Sequence, residues 1–171
     1  SYDELWKLYC KYQAEDVKKH VDRINAIIAS APASQFPDVL LSALTDDCIG
    51  RALDINDGGA IFKRIHGAGF MSLGTVADSL AAVKKLVFEE KKISASDLRK
   101  ALDSDFKDRE DIRQMLINGA PKYGNDDDYV DSIATEIVKQ ACAEFAKHKT
   151  VDGGSFSACF ATNINNISAG K

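Results

Sequence analysis

The chain has 171 residues, of which 45% are hydrophobic, and a formal net charge of −4. This length suffices for one domain with a proper core, and the acidic and basic residues are mixed along the chain without the basic stripe that a nucleic-acid partner would need. No apolar stretch approaches the roughly 20 residues that span a bilayer, and no charged-then-apolar leader opens the sequence, so no membrane association and a cytoplasmic location are expected.

Apolar residues recur at helical spacing over most of the chain, and local start signals mark several helices. Ser1 and Glu4 have the form of a capping box, which predicts that a long amphipathic helix begins at once. Pro37 suits the first turn of a second helix, and Ser94 with Asp97 predicts the start of a shorter one. The predicted helices cover residues 2–30, 37–53, 75–89, 94–105, 108–118 and 127–148.

Two strands are expected where the helical period fails. A strand over 60–66 is predicted to lead into a glycine-rich loop, after which Thr75 caps the next helix. After Gly153 and Gly154 the period becomes two, which predicts a strand over 155–165 with one bulky face. Its other face carries small or polar residues, namely Ser155, Ser157, Cys159, Ala161 and Asn163. These elements indicate a single section, residues 1–171, of α/β class that is predominantly helical.

Two patterns could bind a ligand but have a simpler local interpretation. The glycines at 67, 69 and 74 precede a helix start and could cradle an anion. Their spacing matches neither GxGxxG nor the P-loop, which favours a tight strand-to-helix turn. Asp126, Asp127 and Asp128 could bind a hard cation, but they lack the alternating donors of an EF-hand. Helix capping is favoured for this acidic run, and no metal site is expected.

The cysteines and one histidine are the remaining candidates for chemistry. The four cysteines show no CxxC and no short Cys/His spacing, so reduced thiols are expected. Cys48 and Cys142 fall within helices and are interpreted as small core residues, and Cys10 adjoins a polar helix face. Cys159 differs because it lies on the small-residue face of the last strand, where it could line a pocket. A structural role is favoured for His66 over that of a general base, because the spacing identifies no partner.

Two strings in the sequence closely resemble the glycyl radical enzymes. They are ADSLAA at residues 77–82 and KYGNDDDYVD at residues 122–131. The match keeps its order across nearly the whole chain and includes Leu41–Leu44 and Asp57–Ala60. It is more similar to the dehydratase and decarboxylase branches of the family than to pyruvate formate-lyase proper.

This resemblance implies a ten-stranded α/β barrel sheathed in helices, with two loops that meet inside it. One loop carries a cysteine within Gly-Cys-x-Glu, and the other carries a glycine within Arg-Val-x-Gly-Tyr. A separate radical S-adenosylmethionine activase generates a radical on that glycine, from which the cysteine becomes able to take hydrogen from a small substrate. The resemblance thus implies anaerobic radical cleavage of a C–C, C–O, C–N or C–S bond, and a homodimer.

The chain departs from the family pattern at both catalytic motifs. None of its four cysteines follows a glycine, and Arg-Val-x-Gly-Tyr does not occur. The chain is therefore interpreted as an internal section whose partner is the rest of the parent enzyme. It is expected to hold no catalytic residue, cofactor or metal, and neither Cys48 nor Cys159 is expected to be catalytic. The section alone is expected to be inactive. The alternative is a free-standing helical module that kept the scaffold and serves in binding or assembly.

The last strand is where this section is expected to meet substrate. Alignment with the family pattern places Ala161 where diol dehydratases tend to carry a pocket tyrosine. Period-two alternation independently places Ala161 on the same face as Cys159 and Asn163. These three residues are the predicted pocket lining, and the small side chain at position 161 favours a substrate bulkier than a simple diol.

Overall fold

A computed structural model describes residues 1–30, 35–61 and 65–161 of the chain. These residues form two compact units. The first unit holds residues 1–10, 70–140 and the described residues from 160 onward, and the second holds 141–159 with the described residues of 11–69. The described residues are mostly helical, with one small parallel sheet of two strands.

The described residues form the following helices and strands, given in chain order within each type. The helices are α1 (Tyr2–Ser30), α2 (Val39–Leu44), α3 (Cys48–Arg51), α4 (Leu73–Val83), α5 (Ala95–Asp103), α6 (Glu110–Asn118) and α7 (Asp128–Phe145). The strands are β1 (Ile65–Phe70) and β2 (Ser155–Phe160). A 3-10 turn, Ile55–Asp57, follows α3, and a π-helical segment, Lys84–Glu89, continues α4. Within the described residues, no helix combines the length and the apolar composition needed to cross a bilayer.

Two helix starts predicted from the sequence are confirmed by their hydrogen bonds. At the start of α1, the Glu4 N–H donates to Ser1 Oγ at 3.3 Å, and the Ser1 hydroxyl donates to Glu4 Oε2 at 3.0 Å. At the start of α5, the Asp97 N–H donates to Ser94 Oγ at 3.0 Å. Each of these contacts joins residues three positions apart, so a local pattern is enough to predict it.

The first unit has two clusters of buried side chains. In one, buried side chains of α4 and α7 pack together, and the first turns of α1 pack against the same cluster. In the other, the π-helical segment packs against α5 and α6 around Leu86, which is 1% exposed. The buried members are Ala77, Leu80, Ala81, Val130, Ile133, Ala134 and Ile137 in the first cluster, and Leu86, Val87, Ile93, Leu98, Ala101 and Ile112 in the second.

The second unit is organised around Phe145 at the end of α7. This side chain is buried, and its ring centre lies 6.2 Å from that of Phe156 in β2. Asn25 of α1 fixes the loop that leads into β2, because its Nδ2 donates to the Lys149 carbonyl at 3.1 Å and its Oδ1 accepts the Val151 N–H at 3.0 Å. Hydrogen bonds therefore hold the later turns of α1 to the loop before β2, and ring packing joins the end of α7 to β2.

The single helix predicted over 37–53 is wrong, because α2 and α3 are separate. Asp47 adopts a left-handed backbone with φ of 71°, which ends the helical path between them. Asp54 gives the physical reason for the break. Its carboxylate accepts the Asp38 N–H at 2.9 Å and the Ser42 hydroxyl at 2.8 Å. A distant side chain thus folds the chain back on itself, which no helical period could indicate.

The first strand begins later than the predicted 60–66. β1 contains the glycines at 67 and 69, so their interpretation as a strand-to-helix turn is wrong, and residues 62–64 lie outside the described part of the chain. The position of β1 differs from the prediction because the strand is defined by its pairing with β2, which is far away in the chain. His66 lies against Phe156 with ring centres 5.7 Å apart, and Phe70 lies against Phe160 at 5.1 Å. The two residues of each pair are separated by the same number of positions in the sequence, which shows that β1 and β2 are parallel.

The other predicted boundaries agree more closely with the structure. Thr75 is not the cap of α4, because the helix begins at Leu73 after Ser72, whose φ is 65°. The π-helical segment carries the same helix to Glu89, where its end was predicted. The starts of α5, α6 and α7 fall close to prediction, but α7 ends at Phe145 instead of 148. β2 begins at residue 155 as predicted, and its predicted continuation over 162–165 lies outside the described residues.

Candidate functional site

The two distinctive strings, residues 77–82 and 122–131, meet in the first unit. Asp78 of α4 accepts the N–H of Tyr123 with its Oδ1 at 2.8 Å. A Cβ placed on Gly74 would lie 3.4 Å from the Tyr123 ring, so this ring packs closely on the backbone of α4. A side-chain oxygen of Asp78 and the absence of a side chain at Gly74 therefore fix the loop before α7 against α4.

The acidic run Asp126–Asp128 lies at the start of α7 and satisfies its backbone. Asp127 Oδ1 accepts the Tyr129 N–H at 3.0 Å, which confirms the predicted capping role for this residue. Negative charge at this end of the helix also interacts favourably with the helix dipole. Among the described residues, no group of three or more His, Cys, Asp or Glu side chains gathers as ligands for a metal ion.

Tyr129 forms a polar cluster beside this cap. Its hydroxyl donates to Glu89 Oε2 at 2.9 Å, and Lys84 Nζ lies 4.9 Å from the centre of its ring and 5.3 Å from that of Tyr2. Burial, together with the Glu89 carboxylate, raises the pKa of Tyr129. The phenol therefore remains a hydrogen-bond donor at neutral pH, and its stabilising contribution is lost only as the pH rises above the ordinary value of about 10. The hydrogen bond to Glu89 ties the start of α7 to the π-helical segment.

Two of the cavities that the described residues line open on the first unit. The larger, of about 510 Å³, lies between α4, α5 and α6 and is lined mainly by apolar side chains, with Asp78, Arg113 and Lys122 as its charged members. The smaller, of about 380 Å³, lies between the start of α4, Tyr123 and α7. Sequence reasoning missed both cavities, because each is formed by segments far apart in the chain. Neither brings a cysteine or histidine to its lining.

The predicted alternation of side chains along β2 is present. Phe156 is buried, whereas Ser157 and Cys159 on the other face are exposed, and so is Ala161 directly after the strand. The Ala161 N–H donates to the Phe70 carbonyl at 3.1 Å, which continues the ladder with β1 beyond the last residue of β2. The predicted pocket residues Cys159 and Ala161 therefore lie on the small-residue face, as their spacing indicates.

β1 extends this small-residue face. A Cβ placed on Gly67 or on Gly69 would meet nothing within 4 Å, so the surface beside these glycines is open. The parallel register puts both glycines on the same face of the sheet as Cys159. Sequence reasoning missed this contribution because the glycines were interpreted as a loop. Asn163 lies outside the described residues, and its place in the lining remains a prediction.

The cysteines differ in burial. Cys48 is 2% exposed, as expected for a small core residue. The same expectation for Cys142 is wrong, because the buried side chains at this end of α7 include Ala141 and Phe145, four residues apart, and Cys142 points away from them into solvent. Cys10 is half-buried, and burial raises the pKa of its thiol, which lowers its reactivity.

His66 has a structural position. Its ring packs edge-on against Phe156 at 5.7 Å, on the face of the sheet opposite to Cys159. This agrees with the packing role favoured from the sequence. The described residues of this sheet thus combine one face of packed aromatic rings with an open face of small side chains, which includes the exposed thiol of Cys159.

All but the last residue of the chain matches the model of a protein family. The family model described as pyruvate formate lyase-like matches residues 1–170. The chain is 39% identical to the trans-4-hydroxy-L-proline dehydratase of Clostridioides difficile over 158 residues, which are 91% of the chain and 20% of that dehydratase. It is 41% identical to the isethionate sulfite-lyase of Oleidesulfovibrio alaskensis over 139 residues, which are 80% of the chain and 16% of that lyase.

A solved structure has the same fold as this section. The glycerol-bound form of the B12-independent glycerol dehydratase from Clostridium butyricum matches with a TM-score of 0.83 and 39% identity, over 92% of the chain and 20% of that structure. The chain therefore spans about a fifth of the length of these relatives. Their names agree with the dehydratase-like character of the strings at 77–82 and 122–131.

Proposed function

Because this chain belongs to the pyruvate formate lyase-like family of glycyl radical enzymes, we propose that it is a section of a radical lyase that cleaves a small organic substrate under anaerobic conditions. The observation that carries this function is the match over residues 1–170 together with the close structural agreement. The bond between Asp78 and Tyr123 supports it, because it joins the two strings in which the resemblance is most specific.

In the parent enzyme, β1 and β2 would be two strands of a ten-stranded barrel. A sheet of two strands is marginally stable by itself, and parallel sheets are normally covered on both faces. The pair described here has one face packed by aromatic rings and another that is open. Further strands from the rest of the polypeptide would complete the sheet and close the barrel around the open face.

The small-residue face would then line the reaction chamber. Cys159 and Ala161 are its exposed members in the described residues, with Asn163 as the next position of the same period. Small side chains leave room there, and the methyl group of Ala161 offers no hydrogen bond to a substrate hydroxyl. A substrate bulkier than a simple diol therefore fits this lining, and the role of these residues is to shape and dry the chamber.

The catalytic groups would come from the remaining segments of the parent enzyme, since this chain contains neither family motif. There, a glycyl radical installed by a separate activase would supply the hydrogen-atom chemistry. The activase, a small-molecule substrate and a second copy of the parent enzyme are the proposed partners. The present section contributes no titratable group to that chemistry and acts by excluding water and positioning the substrate.

This function is tested by electron paramagnetic resonance of the full-length parent protein after anaerobic treatment with its activase and S-adenosylmethionine. We expect an organic radical signal split by one hydrogen, and the splitting should disappear when the protein is produced with Cα-deuterated glycine. The 171-residue chain alone, treated in the same way, serves as the matched control and should give no signal. A parent protein without this signal, or a glycyl signal from the 171 residues alone, would contradict the assignment.

A further inference from the structure

The short helix α2 is oriented with its polar side inward. Successive residues of a helix are about 100° apart, so Ser42 lies about 160° away from both Leu40 and Leu44. Ser42 is the residue that faces the rest of the described chain, because its hydroxyl donates to Asp54 Oδ2 at 2.8 Å and accepts the Ile55 N–H at 2.9 Å. No residue of α2 is buried. A surface helix normally has the opposite arrangement.

Polar contacts fix α2 in this orientation. Asp54 accepts the Asp38 N–H in addition to the Ser42 hydroxyl, and Asp38 in turn caps α2 by accepting the Leu41 N–H at 2.9 Å. The Asn56 N–H, followed by the Ser42 hydroxyl, holds the pKa of Asp54 below its usual range, so these bonds are made to an ionised carboxylate at neutral pH. The outward position of the apolar side chains is therefore specified by the structure around them.

The apolar surface of α2 is large for so short an element. We define it as Phe36, Val39, Leu40, Leu44 and Ile49, whose exposures lie between 65% and 76%. Ile49 belongs to α3, which packs against α2 within the second unit. Single exposed apolar residues are ordinary, but several on one short helix and its neighbour are not, and larger exposed apolar areas mark surfaces that another part of a protein covers.

We propose that the apolar surface of α2 packs against the remainder of the parent polypeptide, outside these 171 residues, and so anchors this section in the complete enzyme. This inference rests on the proposed function, which makes the chain a section of a longer enzyme. The relatives extend far beyond the matched section, which is only 20% of the hydroxyproline dehydratase. A covering segment on the same polypeptide is present at high effective concentration, so it outcompetes a second copy or a separate partner for the same surface.

The test uses the full-length parent protein with Leu40→Cys or Leu44→Cys, and thiol alkylation at each position is followed by peptide mass mapping. The reference is the same protein unfolded in urea. We expect alkylation at both positions to be at least about tenfold slower in the folded protein, because labelling then requires local opening. The matched control is Arg99→Cys on the polar side of α5, where the native side chain is 84% exposed and the same comparison should show far less protection.

A second measurement avoids substitution. Hydroxyl-radical footprinting of the unchanged parent protein should show Phe36 and Leu40 protected relative to the unfolded protein. Labelling of both positions at the unfolded rate would overturn the inference. Protection that disappears when the parent is diluted to monomers would assign the surface to a second copy and would also overturn the inference. Protection that appears only when another protein is added would overturn it as well. Protection in a parent that forms no glycyl radical would contradict the proposed function while leaving this inference intact.

Discussion

Replacing Gly59 with alanine is expected to lower the free energy of unfolding by about 3 kcal/mol. A Cβ at this position would overlap the Leu53 carbonyl oxygen, and it would lie 2.8 Å from the Asp54 carbonyl oxygen and 2.9 Å from Cys48 Sγ. Two of these neighbours are backbone atoms, and Cys48 is itself 2% exposed, so none can move without disturbing the turn after α3. This close approach explains why position 59 is a glycine.

Urea unfolding followed by circular dichroism measures this loss, and hydrogen exchange of the Cys48–Arg51 amides locates it in the second unit. The matched control is Gly50→Ala, because a Cβ on Gly50 would meet nothing within 4 Å and alanine is the better helix former. We expect this control to leave stability unchanged or to raise it by about 0.5 kcal/mol. Equal stabilities of the Gly59→Ala and Gly50→Ala proteins would show that the packing around Gly59 is not as described.

Gly119→Ala is expected to destabilise the first unit by about 2 to 3 kcal/mol. A Cβ on Gly119 would lie 2.5 Å from the Met115 carbonyl oxygen and 3.0 Å from both terminal methyl groups of Leu86. The Gly119 N–H already donates to that carbonyl at 2.7 Å, and Leu86 is 1% exposed, so neither neighbour has room to retreat. The end of α6 and the π-helical segment would have to separate.

Thermal unfolding of the Gly119→Ala protein provides the measurement, and Gly67→Ala is the control because its added methyl group would enter open space. Combining Gly119→Ala with Leu86→Ala separates the two contacts. If the methyl groups of Leu86 contribute to the clash, the double variant should be more stable than the sum of the two single effects implies. Simple additivity would assign the whole effect to the Met115 carbonyl.

Sequence patterns predicted the elements whose causes are local. The capping box of α1 and the Ser94 cap of α5 each join residues three positions apart, and both are confirmed. The break between α2 and α3 depends instead on Asp54, which reaches back to Asp38 and Ser42. β1 depends on β2, which is distant in the chain, so its glycines looked like a loop when only neighbouring residues were considered.

The sequence likewise predicted some features of the candidate site and missed others. Period two correctly separated Phe156 from Cys159, because alternation is a property of any strand. The contribution of Gly67 and Gly69 to the same face could not be predicted without knowing the pairing. Cys142 was placed in the core because it lies in an amphipathic helix, and only the packing of the helix end shows that it points to solvent.

The most direct test of the proposed chamber uses native Cys159 in the folded, full-length parent protein, with alkylation followed by peptide mass mapping. If Cys159 lines an enclosed chamber that admits small molecules, iodoacetamide should modify it, while a maleimide carrying a long polyethylene glycol chain should react only after unfolding. Equal access of the bulky reagent in the folded and unfolded protein would place Cys159 on an open surface. Complete protection from both reagents would place it in a filled interior, and either result would contradict a substrate chamber beside this strand.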